Sequence, residues 1–475
     1  MVPLRYPPWP VMTASNFSSL PIIPQTLEAL EGLGFSGMTS VQAESLPLIL
    51  ARKDVIIQAQ TGSGKTAAFG VGLLNDLNPR FFGVQALVMC PTRELAEQVA
   101  QTIRQLASRM PNVKTVLLCG GKPFGPQRDS LRHGAHIVVG TPGRIEDHLK
   151  KDNLVLKGVN TFVLDEADRM LDMGFAEVMG NITRRLPKDR QTILMSATFP
   201  DDIKRISRSI QNNPIQVTID DQLTHDENVL EQLFFEIAKH ERETALLAVF
   251  EHYRPNNAMV FCNTKKQCSD VASFLCEHDI EAIALHGDLE QRERDQVLLQ
   301  FANGSCPVLV ASDVAARGLD IPALEMVVNV DLPRDADTYV HRIGRTGRAG
   351  EKGKAFSLVT PADTHRLSVI GDHLETPCIC DVLASLDRDP NYELKGDCVT
   401  VQLDAGRKQK VRPGDILGAL TGDAGLSGDQ IGKITILDNS SFVAIQRSAL
   451  RQAMNYLSDG KVKGRKIRAR RLRLK

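Results

Sequence analysis

Asp54-Val-Ile-Ile57 passes through Gln58 into Ala59-Gln-Thr-Gly-Ser-Gly-Lys-Thr66, and an apolar helical stretch follows. A short apolar run that ends in a glycine-rich loop and then opens a helix reads as a buried strand delivering a phosphate cradle. Gly62 and Gly64 let backbone N–H groups approach phosphate oxygens, Lys65 reaches the terminal phosphates, and the Thr66 hydroxyl suits Mg²⁺. Ala59, Gln60, Thr61 and Ser63 complete the expected ATP-binding loop.

Outward from this loop the strand–helix pattern continues. Ala86–Met89, His136–Val139, Phe162–Leu164 and Thr192–Met195 are short apolar runs separated by amphipathic stretches, as in a parallel sheet covered on both faces. Leu95, Val99, Ile103 and Leu106 line one helical face after the Ala86 run. Ala258–Phe261, Ala282–Leu285, Pro307–Val310 and Met326–Val330 repeat the pattern in a second lobe. The expected fold is therefore α/β, with two tandem parallel-sheet lobes. After residue 396 the order βαββαβ predicts a small α+β domain of the RNA-recognition type. Its strands are Val399–Leu403, Lys433–Leu437, Phe442–Gln446 and Ile467–Leu472, and its helices Pro413–Leu420 and Ser448–Leu457. The corresponding division is a leader over 1–15, a first lobe over 16–213, a connector over 214–228, a second lobe over 229–375, a connector over 376–396 and the small domain over 397–475.

Charge sharpens this division. Lys plus Arg and Asp plus Glu both number 57, but residues 390–475 hold 17 basic and 8 acidic residues, against 40 and 49 before them. Such asymmetry predicts a polyanion-binding appendage. Its most basic part, Lys461–Lys475, has nine basic residues and no acid. Nine cysteines without paired C-x-x-C spacing indicate reduced thiols in a cytoplasmic protein, with no metal–thiolate site. The chain has no apolar run of about 18 residues, and its proline-rich start lacks the apolar centre of a signal peptide, so no membrane is expected.

Two further clusters supply chemistry. Asp165-Glu-Ala-Asp168 closes the Phe162 run, where Asp165 can hold Mg²⁺ and Glu166 can orient or deprotonate an attacking water. Far downstream, His341-Arg-Ile-Gly-Arg-Thr-Gly-Arg348 offers Arg345 and Arg348, whose guanidiniums can meet developing phosphoryl charge. Lys65, Asp165, Glu166, Arg345 and Arg348 are thus the expected catalytic set, divided between two lobes.

Taken in order, these motifs resemble the DEAD-box ATP-dependent RNA helicases over about residues 16–375. The resemblance implies RecA-like lobes. It also gives roles to residues that spacing alone leaves open. Gly34-Phe35, Thr39 and Gln42 match the motif whose glutamine reads adenine, and Phe17 matches an upstream aromatic that stacks on the base. Asp320 is placed beside the nucleotide. Pro91, Thr92, Arg93, Gly121, Thr141, Gly143 and Arg144 match RNA-contacting segments of the first lobe; Asn263, Thr264, Arg294 and Ser312 match those of the second, Ser312 standing where the family usually has threonine. Ser196, Thr198, Asp168 and His341 match elements that couple hydrolysis to strand separation.

In the tail, Arg412–Asp423, Ile431–Ile434 and Gly460–Arg468 resemble the RNA-binding domain of a bacterial branch of this family whose members bind a hairpin of 23S ribosomal RNA during large-subunit assembly. That implies 23S ribosomal RNA and pre-50S particles as partners of a monomeric enzyme that locally unwinds short duplexes. The alternative is an ATP-gated RNA clamp or assembly scaffold without productive unwinding. The tail strands offer few aromatics, so basic contacts from Lys408, Lys410, Arg412, Lys433, Arg447, Lys461, Lys463, Arg465, Lys466 and Arg468 are expected in place of base stacking.

Overall fold

A computed structural model of the chain describes residues 16–59, 63–219, 230–316, 324–347 and 352–472. These fall into two compact units, one holding the described residues through Ile219 and the other those from Leu230 onward.

The first unit is built on seven strands: β1 Val55–Gln58, β2 Ala86–Met89, β3 Thr115–Leu118, β4 Ile137–Gly140, β5 Thr161–Leu164, β6 Gln191–Ser196 and β7 Ile215–Thr218. They pair in parallel in the order 3-4-2-5-6-1-7. Successive strand residues point to opposite faces, and both faces are covered. Val55 and Ile57 enter one core with Val88 and Val139, while Ile56 enters the other with Leu87 and Val138. This double burial explains why the strands read as continuous apolar runs rather than as alternating ones. The Arg93–Leu106 helix buries Leu95, Val99, Ile103 and Leu106, and Thr92 caps it by accepting from the Leu95 N–H at 3.3 Å. Ile215–Thr218, at the start of the stretch read as a connector, pairs with β1 as an edge strand. Three of its four residues are exposed, so no apolar run announces it.

The second unit repeats the plan with β8 Leu230–Glu236, β9 Ala258–Phe261, β10 Ala282–Leu285, β11 Val308–Ala311, β12 Met326–Asn329, β13 Gly353–Val359 and β14 Cys380–Val382, in the order 10-11-9-12-13-8-14. Residues 376–396, also read as a connector, run along this sheet. They supply β14, insert Leu383, Leu386 and Tyr392 against the core, and tie Arg388 to Glu251 at 2.7 Å.

A four-stranded antiparallel sheet follows, with β15 Cys398–Leu403, β16 Ile431–Ile436, β17 Ser441–Gln446 and β18 Ala469–Arg471 in the order 16-17-15-18. The Pro413–Gly418 and Leu450–Asp459 helices cover the face carrying Val401, Leu403, Val443 and Ile445. On the other face Thr400 lies opposite Ala444 and Gln402 opposite Phe442, and all four are buried. There the Thr400 hydroxyl meets Ser305 Oγ at 2.7 Å and accepts from Asn303 Nδ2 at 3.1 Å, while Arg447 donates to Glu281 at 2.6 Å. The small sheet is thus docked through polar contacts onto the second lobe.

Candidate functional site

In the first unit the chemical residues gather at the carboxyl ends of the strands, where ligands of open α/β sheets bind. Gly64 caps the Lys65–Asn75 helix in the left-handed region, with φ 93°. A Cβ there would lie 2.6 Å from Gln42 Nε2, so only glycine fits. Gln42 donates from Nε2 to the Gly64 carbonyl at 3.1 Å and accepts from Thr39 N–H at 2.9 Å, while Thr39 Oγ1 donates to the Ser63 carbonyl at 2.8 Å. The glutamine expected at adenine therefore also grips the phosphate loop. Lys65 is buried, and its ammonium donates to the Ala59 carbonyl. Burial lowers its pKa, against the opposing pull of Asp165, Glu166 and Asp168. Thr66 is half-buried beside it. Gln60, Thr61, Gly62, Asp320 and Arg348 lie outside the described residues. Phe17 packs in the first-lobe core, edge-to-face with Phe35 at 6.2 Å.

The acidic turn is held from three sides. Asp165 N–H donates to the Met89 carbonyl at 2.9 Å. Glu166 adopts φ 54°, and its carboxylate meets Arg169 Nη1 at 2.8 Å with both side chains buried. One oxygen of Asp168 accepts from Ala197 N–H, Thr198 N–H and Thr198 Oγ1 at 3.1, 3.0 and 3.1 Å. Ser196 Oγ donates to the Thr198 carbonyl at 2.6 Å. Asp168, Ser196 and Thr198, expected to couple the reaction to RNA, thus form one bonded cluster.

Burial, with the neighbouring Glu166 charge second, pushes the Asp165 carboxyl up to about 7. Its charged form is penalised in the fold, so its contribution to stability is present at low pH and declines as pH rises from the ordinary carboxylate range through about 7. Asp165→Asn in the nucleotide-free protein is expected to raise urea stability at pH 8 and to lose most of that gain at pH 5; an equal gain at both values counts against a buried charge.

The RNA-contacting segments expected in this unit share the same sheet end. Pro91 and Thr92 follow β2 and lead into Arg93, whose guanidinium lies against Gly120 beyond β3, where a Cβ would come within 3.1 Å of Nη2. Gly121 turns with φ 72°. Thr141 and Gly143 follow β4, and Arg144 donates to the Lys122 carbonyl at 3.0 Å while lying over the Phe124 ring at 5.6 Å.

In the second unit one residue organises the strand ends. Arg342 is 1% exposed; it donates to both Asp313 oxygens at 2.6 and 2.8 Å, to Asn329 Oδ1 at 3.1 Å, to the Asp331 carbonyl at 2.7 Å and to Asn263 Oδ1 at 2.9 Å. Asn263 Nδ2 in turn donates to the Leu332 carbonyl, which commits its side chain to the protein. Thr264 caps the following helix, Arg294 donates to the Ala315 carbonyl at 2.6 Å, and Ser312 is buried at the end of β11. Arg345 is buried one helical turn beyond half-buried His341.

The family model for DEAD/DEAH box helicase matches residues 39–206, that for the helicase conserved C-terminal domain matches 241–350, and that for the DbpA RNA binding domain matches 400–471. The chain is 49% identical to the ATP-dependent RNA helicase DbpA of Escherichia coli over 97% of its own length and all of the relative's. It is 37% identical to the Bacillus subtilis protein of the same name, over 96% and 98%. The chain belongs to the DEAD-box ATP-dependent RNA helicases. The solved structure of Saccharomyces cerevisiae Dbp5 bound to RNA and ADP BeF3 superposes with a TM-score of 0.70 at 32% identity, over 78% of this helicase and 95% of that chain.

Arg169 and Arg342 are absent from the residues that the sequence singles out. Both sit inside or beside quoted motifs, but burial rather than spacing reveals their function as clamps. Arg342→Leu leaves the half-buried Asp313 carboxylate and the amide oxygens of Asn329 and Asn263 without their donor, and leaving such polar groups unpaired costs about 1–3 kcal/mol. Denaturant unfolding of the second unit is expected to shift by that amount.

In the tail of this helicase Lys408, Lys410, Arg412, Lys433, Lys461, Lys463, Arg465, Lys466 and Arg468 are exposed. Lys463 bonds to the Lys410 carbonyl and Asp415, and Lys466 to Asp459 at 3.0 Å. Arg447 turns inward to Glu281. Phe442 is 3% exposed, so its ring is not displayed on an open sheet.

Proposed function

We propose that this helicase is directed by residues 397–475 to 23S ribosomal RNA in pre-50S particles, where it locally opens short duplexes. The observation that carries the reading is the tail itself: a match to the DbpA RNA binding domain whose sheet face is covered and whose exposed rim is basic. Such a rim suits phosphates arranged in a particular shape, with bases contacted at loops rather than stacked across the sheet.

The donor set at the nucleotide loop fits Mg²⁺. It consists of oxygen ligands, the Asp165 carboxylate and the Thr66 hydroxyl, and no group of three or more His, Cys, Asp or Glu side chains among the described residues offers a rival site. Bound there with ATP, Mg²⁺ neutralises phosphate charge. Lys65 leaves the Ala59 carbonyl for the terminal phosphates. Glu166, oriented by Arg169, accepts the proton of the attacking water, and Arg345 and Arg348 donate to the phosphoryl oxygens as charge builds. Turnover therefore needs both units. Asp168, bonded to Thr198, passes the state of the acidic turn to the segment after β6. With a base-pair step worth about 1.4 kcal/mol by the DNA average, one cycle opens only a few pairs. The enzyme acts as a monomer in the cytoplasm.

ATPase activity measured with 23S ribosomal RNA fragments and with unrelated RNA of equal length tests this reading. Stimulation confined to particular ribosomal fragments, and abolished on removing residues 397–475, is expected. Equal stimulation by both RNAs removes the targeting claim, and nucleotide-dependent binding without strand displacement supports a clamp.

A further inference from the structure

The opposite end of the first sheet, where the strands begin, carries a feature unrelated to the nucleotide loop. Phe81 and Phe82 are adjacent and exposed, 49% and 56% respectively. Neither ring is loosely placed. A Cβ on Gly83 would lie 2.5 Å from Phe81 Cζ, and one on Gly158 would lie 2.9 Å from Phe81 Cε1. Gly134 has φ 82°, and a Cβ there would lie 3.1 Å from Phe82 Cβ. Three glycines thus let the two aromatic residues approach backbone closely.

The loop that bears them is fixed as well. Gln85 Nε2 donates to the Asn78 and Phe81 carbonyls, both at 2.9 Å. The Phe82 ring leans on His136 at 5.0 Å, and the His136 ring is held between Lys114 N–H and the Pro79 carbonyl at 3.1 and 3.2 Å. The stretches that meet here, 112–114, 130–136, 155–159 and the loop over 79–84, contain Lys114, Arg132, Lys157 and Arg80 and no aspartate or glutamate. Arg80, Arg132 and Lys157 are exposed, and none is paired with a carboxylate among the described residues.

An apolar patch made for a protein partner has no need of an all-basic surround. Rigid aromatic faces among unpaired cations are what single-stranded nucleic acid requires, because every base has a π-face and every nucleotide a phosphate. We propose that Phe81 and Phe82, with Arg80, Arg132 and Lys157, form a second RNA-binding surface on the first unit, specific for single-stranded RNA and separate from the motif-lined end of the sheet. RNA strand beyond the segment being opened binds there.

The test uses the full chain and a fluorescein-labelled 20-nucleotide oligouridine. Phe81→Leu/Phe82→Leu keeps the apolar surface and removes the aromatic faces; affinity is expected to fall at least about tenfold. Arg80→Ser/Lys157→Ser is expected to lower the log–log salt slope by about 1.4, or about 0.7 for each single-strand phosphate that the variant leaves unneutralised. Phe81→Trp in a Trp9→Phe background places one indole on this face, and oligouridine is expected to quench its emission, a readout specific to this surface. Unchanged affinity and slope in both double variants, or an unquenched indole, overturns the proposal. So does a result in which the leucine pair binds as wild type while Phe81→Ser/Phe82→Ser abolishes self-association, since that makes the face a protein-docking surface.

Discussion

Arg345→Ala is expected to lower RNA-stimulated ATP turnover about 10³- to 10⁵-fold, the range that a guanidinium aimed at developing phosphoryl charge contributes. Arg345 is buried in the second unit, next to the turn that Arg342 fixes through Asp313 and Asn329. The substitution removes the charge while leaving that clamp in place, so the second unit should still fold. Single-turnover hydrolysis and equilibrium binding of a labelled ATP analogue separate the two contributions. Nucleotide affinity is expected to change little while the chemical step collapses. Turnover within tenfold of wild type removes this residue from the mechanism. Arg345→Lys keeps the charge without the planar fork and is expected to recover only a small part of the loss.

Glu166→Gln is expected to lower turnover about 10²- to 10⁴-fold, the range for a positioned general base. The exchange is nearly isosteric but neutral, and it breaks the buried pair with Arg169. Two losses are therefore combined, and a companion variant separates them. Arg169→Met leaves the Glu166 carboxylate and removes its orienting partner, so an intermediate defect in kcat is expected, with nucleotide affinity less affected. Because the tail's basic rim belongs to the other unit, Glu166→Gln is expected to retain tail-dependent RNA affinity. Parallel loss of RNA binding contradicts separate modules.

Much of this arrangement is legible in the order of residues alone. Buried parallel strands are apolar throughout, so β1, β2, β4, β5 and β6 announce themselves, as do the loop and acidic turn that end β1 and β5. Three of the four edge strands of the two parallel sheets do not. β3 alternates between buried and half-buried, β7 is mostly exposed, and β14 is three residues long, so none carries the signal of double burial. The same physics separates visible from hidden site residues. Lys65 and Glu166 stand at spacings dictated by phosphate and water. Arg342 acts through five protein acceptors drawn from scattered positions, which no linear pattern records. Arg447 shows the reverse case: a basic residue in a basic tail, its guanidinium is bonded to Glu281 rather than turned toward solvent.

The bonds from Thr400 to Asn303 and Ser305, with Arg447 on Glu281, have a mechanical consequence. A domain hung on a slack tether fixes only how far away its cargo wanders, whereas one bolted at several points also fixes the direction in which its cargo faces. RNA held by this RNA-binding domain is thus steered as by a rudder, its heading set by the orientation of β9–β12 rather than by the length of chain between the two folds.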